Sequence, residues 1–112
     1  MAIISDDFMR QMLDTAKDYC VCILKITPKR KEPGANTIVW EHGRRNFSLR
    51  AGGVLAIVCP ISDGSGVSGV YIFNAGLDEV RHIMEDDPAV KAGIFTYELH
   101  ASRSFPGDEL PR

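Results

Sequence analysis

Val54 to Asn74 reads VLAIVCPISDGSGVSGVYIFN, and this stretch decides the fold. Two apolar runs, Val54–Ile61 and Val67–Asn74, flank SDGSG at Ser62–Gly66. The runs are rich in β-branched and aromatic residues, and the intervening residues tolerate positive φ or bond their own backbone. The pattern predicts a β-hairpin. In the first run Leu55, Ile57 and Cys59 alternate with Val54, Ala56 and Val58, so it is apolar on both faces. A strand of that kind is covered on both sides.

Upstream of the hairpin, Gly52 and Gly53 stop a helix that starts at Asn36 or Thr37, either of which can cap it, and ends at Ala51. Before it, Pro28–Ala35 is a loop with two prolines, a glycine and a basic cluster. Tyr19–Thr27 (YCVCILKIT) is a strand with Cys20, Cys22 and Leu24 opposite Val21 and Ile23, again apolar on both faces. Downstream, Leu77–Glu85 is a helix whose apolar side is Leu77, Val80, Ile83 and Met84. Asp86-Asp87-Pro88 ends it, because the residue before a proline avoids the α region. Ile94–Ala101 (IFTYELHA) sets Phe95, Tyr97 and Leu99 against Thr96, Glu98 and His100, the alternation of an edge or half-solvated strand.

The order is βαββαβ, the split βαβ of an α+β ferredoxin-like fold with a four-stranded antiparallel sheet and two helices on one face. An extra N-terminal helix precedes it from Ser5 to Lys17. Ser5 can cap it, Asp6 and Asp7 suit the positive end of its dipole, and Phe8, Met9, Met12, Leu13 and Ala16 form one stripe. Residues 1–18 thus form an extension, 19–102 the domain and 103–112 a loose tail. The second face of two-faced strands needs a cover, worth several kcal/mol at about 25 cal/mol per Å². The simplest is the same face of a second copy about a two-fold axis, making a homodimer; the N-terminal helix is the competing cover.

Hydrophobic residues make up 45% of the chain and charged residues 25%, the balance of a globular domain, and 112 residues allow one core. A net charge of −2 argues against nucleic acid as a partner. Lys29-Arg30-Lys31 runs straight into Glu32-Pro33 and reads as a solvated loop. No stretch approaches the ~20 apolar residues of a membrane span. Met1–Arg10 carries Asp6 and Asp7 and has no signal-peptide core, so no membrane partner and a cytoplasmic location are expected. Cys20, Cys22 and Cys59, an odd count within strands, read as reduced core thiols rather than a metal site. No metal or other cofactor is expected.

From Thr37 to Ser102 the chain resembles the YciI-like family. The resemblance rests on His42 in WEHGRRNF, eighteen residues before Pro60 in GGVLAIVCP, on SDGSG followed by GVYIFNA, and most specifically on DDPAVKAGIFTYELH. It implies a dimeric α+β barrel similar to muconolactone isomerase. It also implies a histidine and an aspartate facing a pocket between sheet and helices, here His42 and Asp87. Two features depart from the pattern: the extra helix, and the polar Gly43-Arg44-Arg45-Asn46 where the family has apolar residues.

On the residues themselves, His42 is the candidate for proton transfer, since histidine titrates near neutral pH. An aspartate bonded to its other nitrogen would set the tautomer. The helical wheel groups Trp40, Gly43, Phe47 and Ala51 on one stripe and sets His42, Ile38 and Leu49 nearly opposite; either stripe can face the sheet. Asp87 before Pro88 is also an ordinary helix stop, and Asp86 can fill either role. Arg45, with Arg44, can bind an anionic ligand or be a solvated face. Trp40 is a further ligand-binding candidate whose ordinary place is the core. His82 reads as surface, and His100 lies on the polar face of the last strand. Gly64-Ser65-Gly66 has no helix after it and is a hairpin turn, not a phosphate loop. Three functions follow: an acid/base enzyme of isomerase or lyase type acting on a small anionic molecule, a non-catalytic metabolite-binding module, or a structural dimer.

Overall fold

The structure, a computed structural model, describes residues 1–112. Its elements are α1 (Asp6–Asp14), β1 (Lys17–Ile26), a 3-10 turn (Pro28–Lys31), α2 (Ala35–Ala51), β2 (Leu55–Pro60), β3 (Val67–Phe73), α3 (Leu77–Glu85), α4 (Pro88–Lys91) and β4 (Phe95–Ser104). The strands form one antiparallel sheet in the order β2-β3-β1-β4, the α+β ferredoxin-like arrangement. The hairpin is β2–β3, and β4 is an edge strand.

One face of the sheet carries the core. Cys20, Cys22, Leu24, Leu55, Tyr71, Phe73 and Phe95 meet Ala35 of α2, Val80 and Met84 of α3 and Ala89 of α4. The other face presents Val21 and Ile23 of β1 paired with Ile72 and Val70 of β3, all half-buried.

Three sequence expectations are corrected. The first is the alternation in β2. Its register against β3 shifts between Leu55 and Ile57, where Leu55 pairs with Phe73 and Ile57 with Ile72. Ala56 is the extra residue of a β-bulge, and a bulge of one residue exchanges the faces beyond it. Val58, not Ile57, therefore joins Leu55 on the core face, and Cys59 is exposed rather than a core thiol. Cys20 and Cys22 are buried as expected, and burial pushes the Cys22 thiol up to about 12. The second is the start of α2. It begins at Ala35 behind Gly34, whose φ of 85° lets the chain enter the helix without a side-chain cap. Asn36 Oδ1 instead accepts from Arg30 Nη1 at 2.7 Å. The third is the reach of α1, which stops at Asp14 because Lys17 already pairs with Ser104 in the sheet.

Ser5 caps α1 as its residue type predicts, its Oγ accepting from the Phe8 amide at 3.1 Å. The helix nonetheless buries none of its residues. The radius of gyration is 16.4 Å with a long axis of 56 Å. A compact chain of this length has a radius near ~13 Å. So α1 projects from the domain instead of covering its sheet. No helix is long and apolar enough to cross a membrane.

Candidate functional site

Three elements bring four polar side chains together under α2. His42 and Asn46, one turn apart on α2, face the sheet. Tyr71 points up from β3, and Asp87 comes from the junction of α3 and α4. His42, Asn46, Tyr71 and Asp87 are 5%, 8%, 4% and 1% exposed, so each must find its hydrogen bonds within the protein.

They do. His42 Nδ1 lies 2.7 Å from Asp87 Oδ1, and its Nε2 lies 3.1 Å from Tyr71 Oη. Asn46 Nδ2 is 3.2 Å from His42 Nε2 and 3.3 Å from Tyr71 Oη. The second oxygen of Asp87 accepts from the amides of Ala89 at 2.9 Å and Val90 at 3.2 Å, capping α4, the short helix that Pro88 opens. Burial pushes the Asp87 pKa up, but the hydrogen bond and charge of His42 with the Val90 and Ala89 amides outweigh it and hold the carboxyl below its ordinary value. Burial pushes the Tyr71 hydroxyl up to about 12, despite the hydrogen bond from Asn46.

These states set the direction of every bond. Ionised Asp87 only accepts, so His42 Nδ1–H donates to it. Protonated Tyr71 donates to Nε2, and Asn46 donates to the tyrosine oxygen. The chain Asn46→Tyr71→His42→Asp87 is complete when the imidazole is neutral. The edge of Phe95 packs on the imidazole, with ring centroids 5.1 Å apart, and closes its lower side. Gly69 makes room for the tyrosine: a Cβ there would lie 2.9 Å from Tyr71 Cε1 and 3.2 Å from the Cys59 carbonyl oxygen.

The five predicted residues fall into two groups. His42 and Asp87 are in direct contact, and Arg45 reaches them, its Nη1 3.7 Å from Asp87 Oδ1. That nitrogen is buried and donates no hydrogen bond. Asp86 lies outside, exposed and paired with Lys91 at 2.7 Å; the bond and charge of Lys91 hold its carboxyl below the ordinary value. Trp40 is 70% exposed on the opposite face of α2. His82 Nδ1 donates to the Asp78 carbonyl at 2.7 Å, and His100 pairs with Glu98 at 3.1 Å; both are exposed. Tyr71 and Asn46 were missed by sequence reasoning. Their only sequence signals are the His-x-x-x-Asn spacing of one helical turn and a tyrosine two residues after a strand glycine.

A cleft of about 790 Å³ does not reach this network; it lies between Tyr19, Ile57, Ile72 and the tail from Phe105 to Arg112. No three His, Cys, Asp or Glu side chains converge closely enough to hold a metal ion.

Fold and site together define an α+β ferredoxin-like protein with a buried Asp–His–Tyr hydrogen-bonded chain. No protein-family model and no curated protein matches the chain. Among solved structures it is similar to 5-chloro-2-hydroxyhydroquinone dehydrochlorinase (TftG) from Burkholderia phenoliruptrix AC1100, in complex with 2,5-dihydroxybenzoquinone. The identity is 19% over 73% of this chain and 90% of that chain, with a TM-score of 0.49.

Proposed function

We propose that this chain is a YciI-like enzyme that moves a proton on a small anionic organic molecule, in isomerisation, elimination or lactone chemistry. The observation that carries the reading is the unbroken chain from Asp87 through His42 to Tyr71, with bonds of 2.7 and 3.1 Å. The tyrosine oxygen takes a proton from the substrate as its own proton passes to His42 Nε2. The imidazolium so formed is stabilised by the Asp87 carboxylate, and the reverse transfer returns the proton to another substrate atom. No free phenolate forms, which suits a hydroxyl whose pKa is near 12. Arg45, with an unfilled donor beside Asp87, supplies the contact for a substrate carboxylate. On this reading the expected domain 19–102, widened to 17–104 by the pairing of Lys17 with Ser104 and Asp18 with Arg103, is the working part of a cytoplasmic homodimer joined through the open sheet face, with the residues before it as extension and those after it as tail.

A second reading, a structural polar clamp, is favoured by one observation: all four members are under a tenth exposed. A thermal-shift screen of small carboxylates, then turnover of each hit, separates the two. Enzymatic function requires turnover that falls at least 100-fold in both His42→Gln and Tyr71→Phe while the hit still binds. Turnover untouched by either change, or binding without turnover of any hit, ends the catalytic reading. The second outcome leaves a metabolite-binding module; a chain that binds nothing is the clamp.

A further inference from the structure

We infer that α1 is an exchange arm: its apolar stripe docks on the outer face of α2 in a second copy of this chain. The inference does not rest on the proposed chemistry or on the sheet-face dimer.

The arm has no place in its own chain. Phe8, Met9 and Leu13 lie on one side of α1 at 47%, 49% and 55% exposure, and nothing in the helix is buried. Only Thr15 and Ala16 separate it from β1, too short a link to fold it back over the domain. The groove is equally unpartnered. On α2, Trp40 and Phe47 stand 70% and 66% exposed on either side of Gly43. These positions, i, i+3 and i+7, line one helix face. Gly43 sits mid-helix, where glycine costs about 1 kcal/mol relative to alanine. Nothing lies within 4 Å of a Cβ placed there, so its own fold has no need of the missing side chain. Between two large rings the glycine leaves a notch that admits a ridge of another helix.

Charge selects the occupant. The groove, about 520 Å³, is rimmed by Arg30 and by Arg44, which pairs with Glu41 at 3.2 Å. The polar side of α1 carries Asp6, Asp7 and Asp14 against Arg10 alone. An acidic arm suits a basic rim, and it disfavours an anionic lipid surface, which amphipathic helices meet with a basic face.

Trp40 is the chain's single tryptophan, so its emission reports this groove and nothing else. The test uses the full chain at micromolar concentration, with emission spectra and light-scattering mass recorded for native protein, Phe8→Glu/Leu13→Glu and Gly43→Leu. The arm residues are exposed and Gly43 has open space, so the variants keep the fold, which circular dichroism verifies. The inference expects a blue-shifted native emission in a particle of at least two chains. Both variants should shift it red, to the maximum of the urea-unfolded chain. Any of three results overturns it: a native emission already at the unfolded maximum, a blue emission that both variants leave unchanged, or a blue emission in a particle with the mass of one chain. A dimer with exposed Trp40 removes the arm contact and leaves the sheet-face reading standing. A red shift in both variants with a fall to the mass of one chain supports the arm contact and removes the sheet-face reading.

Discussion

The two faces of α2 invert the usual rule. The inner face buries His42 and Asn46, while the outer face holds Trp40 and Phe47 in solvent. Apolar residues lie on both faces, with Ala35, Ile38, Val39 and Leu49 packed on the core, so apolar area alone does not choose between them. The inner residues are tolerated because both ring nitrogens of His42, the Asn46 amide nitrogen and the Tyr71 hydroxyl find partners, and a bonded group avoids the desolvation penalty of an orphan one. The outer residues have no such partners within the chain. The difference teaches that burial here follows complementarity to what lies opposite, and that an exposed apolar stripe on a helix whose polar side is buried marks a contact still to be made.

The largest effect that breaks this comparison is on the inner face. Asp87→Ala removes the acceptor of the His42 Nδ1–H and of two helix amides, and should lower unfolding free energy by about 3 kcal/mol in urea titration. A loss under 1 kcal/mol would mean that the network adds nothing. The same carboxyl sets an acid limit. Its folded pKa is below the unfolded value, so its stabilisation is complete above about pH 4 and disappears as pH falls further, through the lowered value. Stability measured from pH 7 down to pH 2 should therefore fall more steeply in the native chain than in Asp87→Asn.

Gly69→Ala comes next. The new methyl meets the Tyr71 ring and the Cys59 carbonyl, and should cost about 1–3 kcal/mol by pushing the hydroxyl off His42. Tyr71→Phe should cost about 1 kcal/mol, since Asn46 Nδ2 is close enough to replace the donor at Nε2. The outer face should answer least and with opposite sign. Gly43→Ala should raise the stability of the separated single chain by up to about 1 kcal/mol, read in Phe8→Glu/Leu13→Glu, where the arm is released. A loss there would show that the notch serves the fold of one chain.

Much of the architecture was legible because its signals are local. Gly52-Gly53 after Ala51, the SDGSG turn and the Asp87-Pro88 stop each act within a few residues, and the boundaries they predict lie within a residue or two of those observed. Asp87 was also readable as an amide-binding helix stop, which is how it caps α4. The bulge at Ala56 was not legible: nothing in VLAIVCP marks the extra residue, which exists only relative to β3. For the same reason Cys59 was read as core. Asn46 and Tyr71 escaped notice because they are 25 residues apart and join only through packing.

From the sequence alone came the order βαββαβ, the hairpin and most of the helix ends, because backbone preference and periodicity are properties of neighbours along the chain. The pairing of His42 with Asp87 rested on the family resemblance, and the residues themselves left Asp86 as an alternative. Tertiary structure alone decided which face of α2 turns inward, where β2 slips, which side chains join His42 and Asp87 in the buried network, and that α1 stands clear of the sheet. Those outcomes depend on which groups stand opposite one another at ångström range, and a helical wheel with two eligible stripes holds no information about its partner.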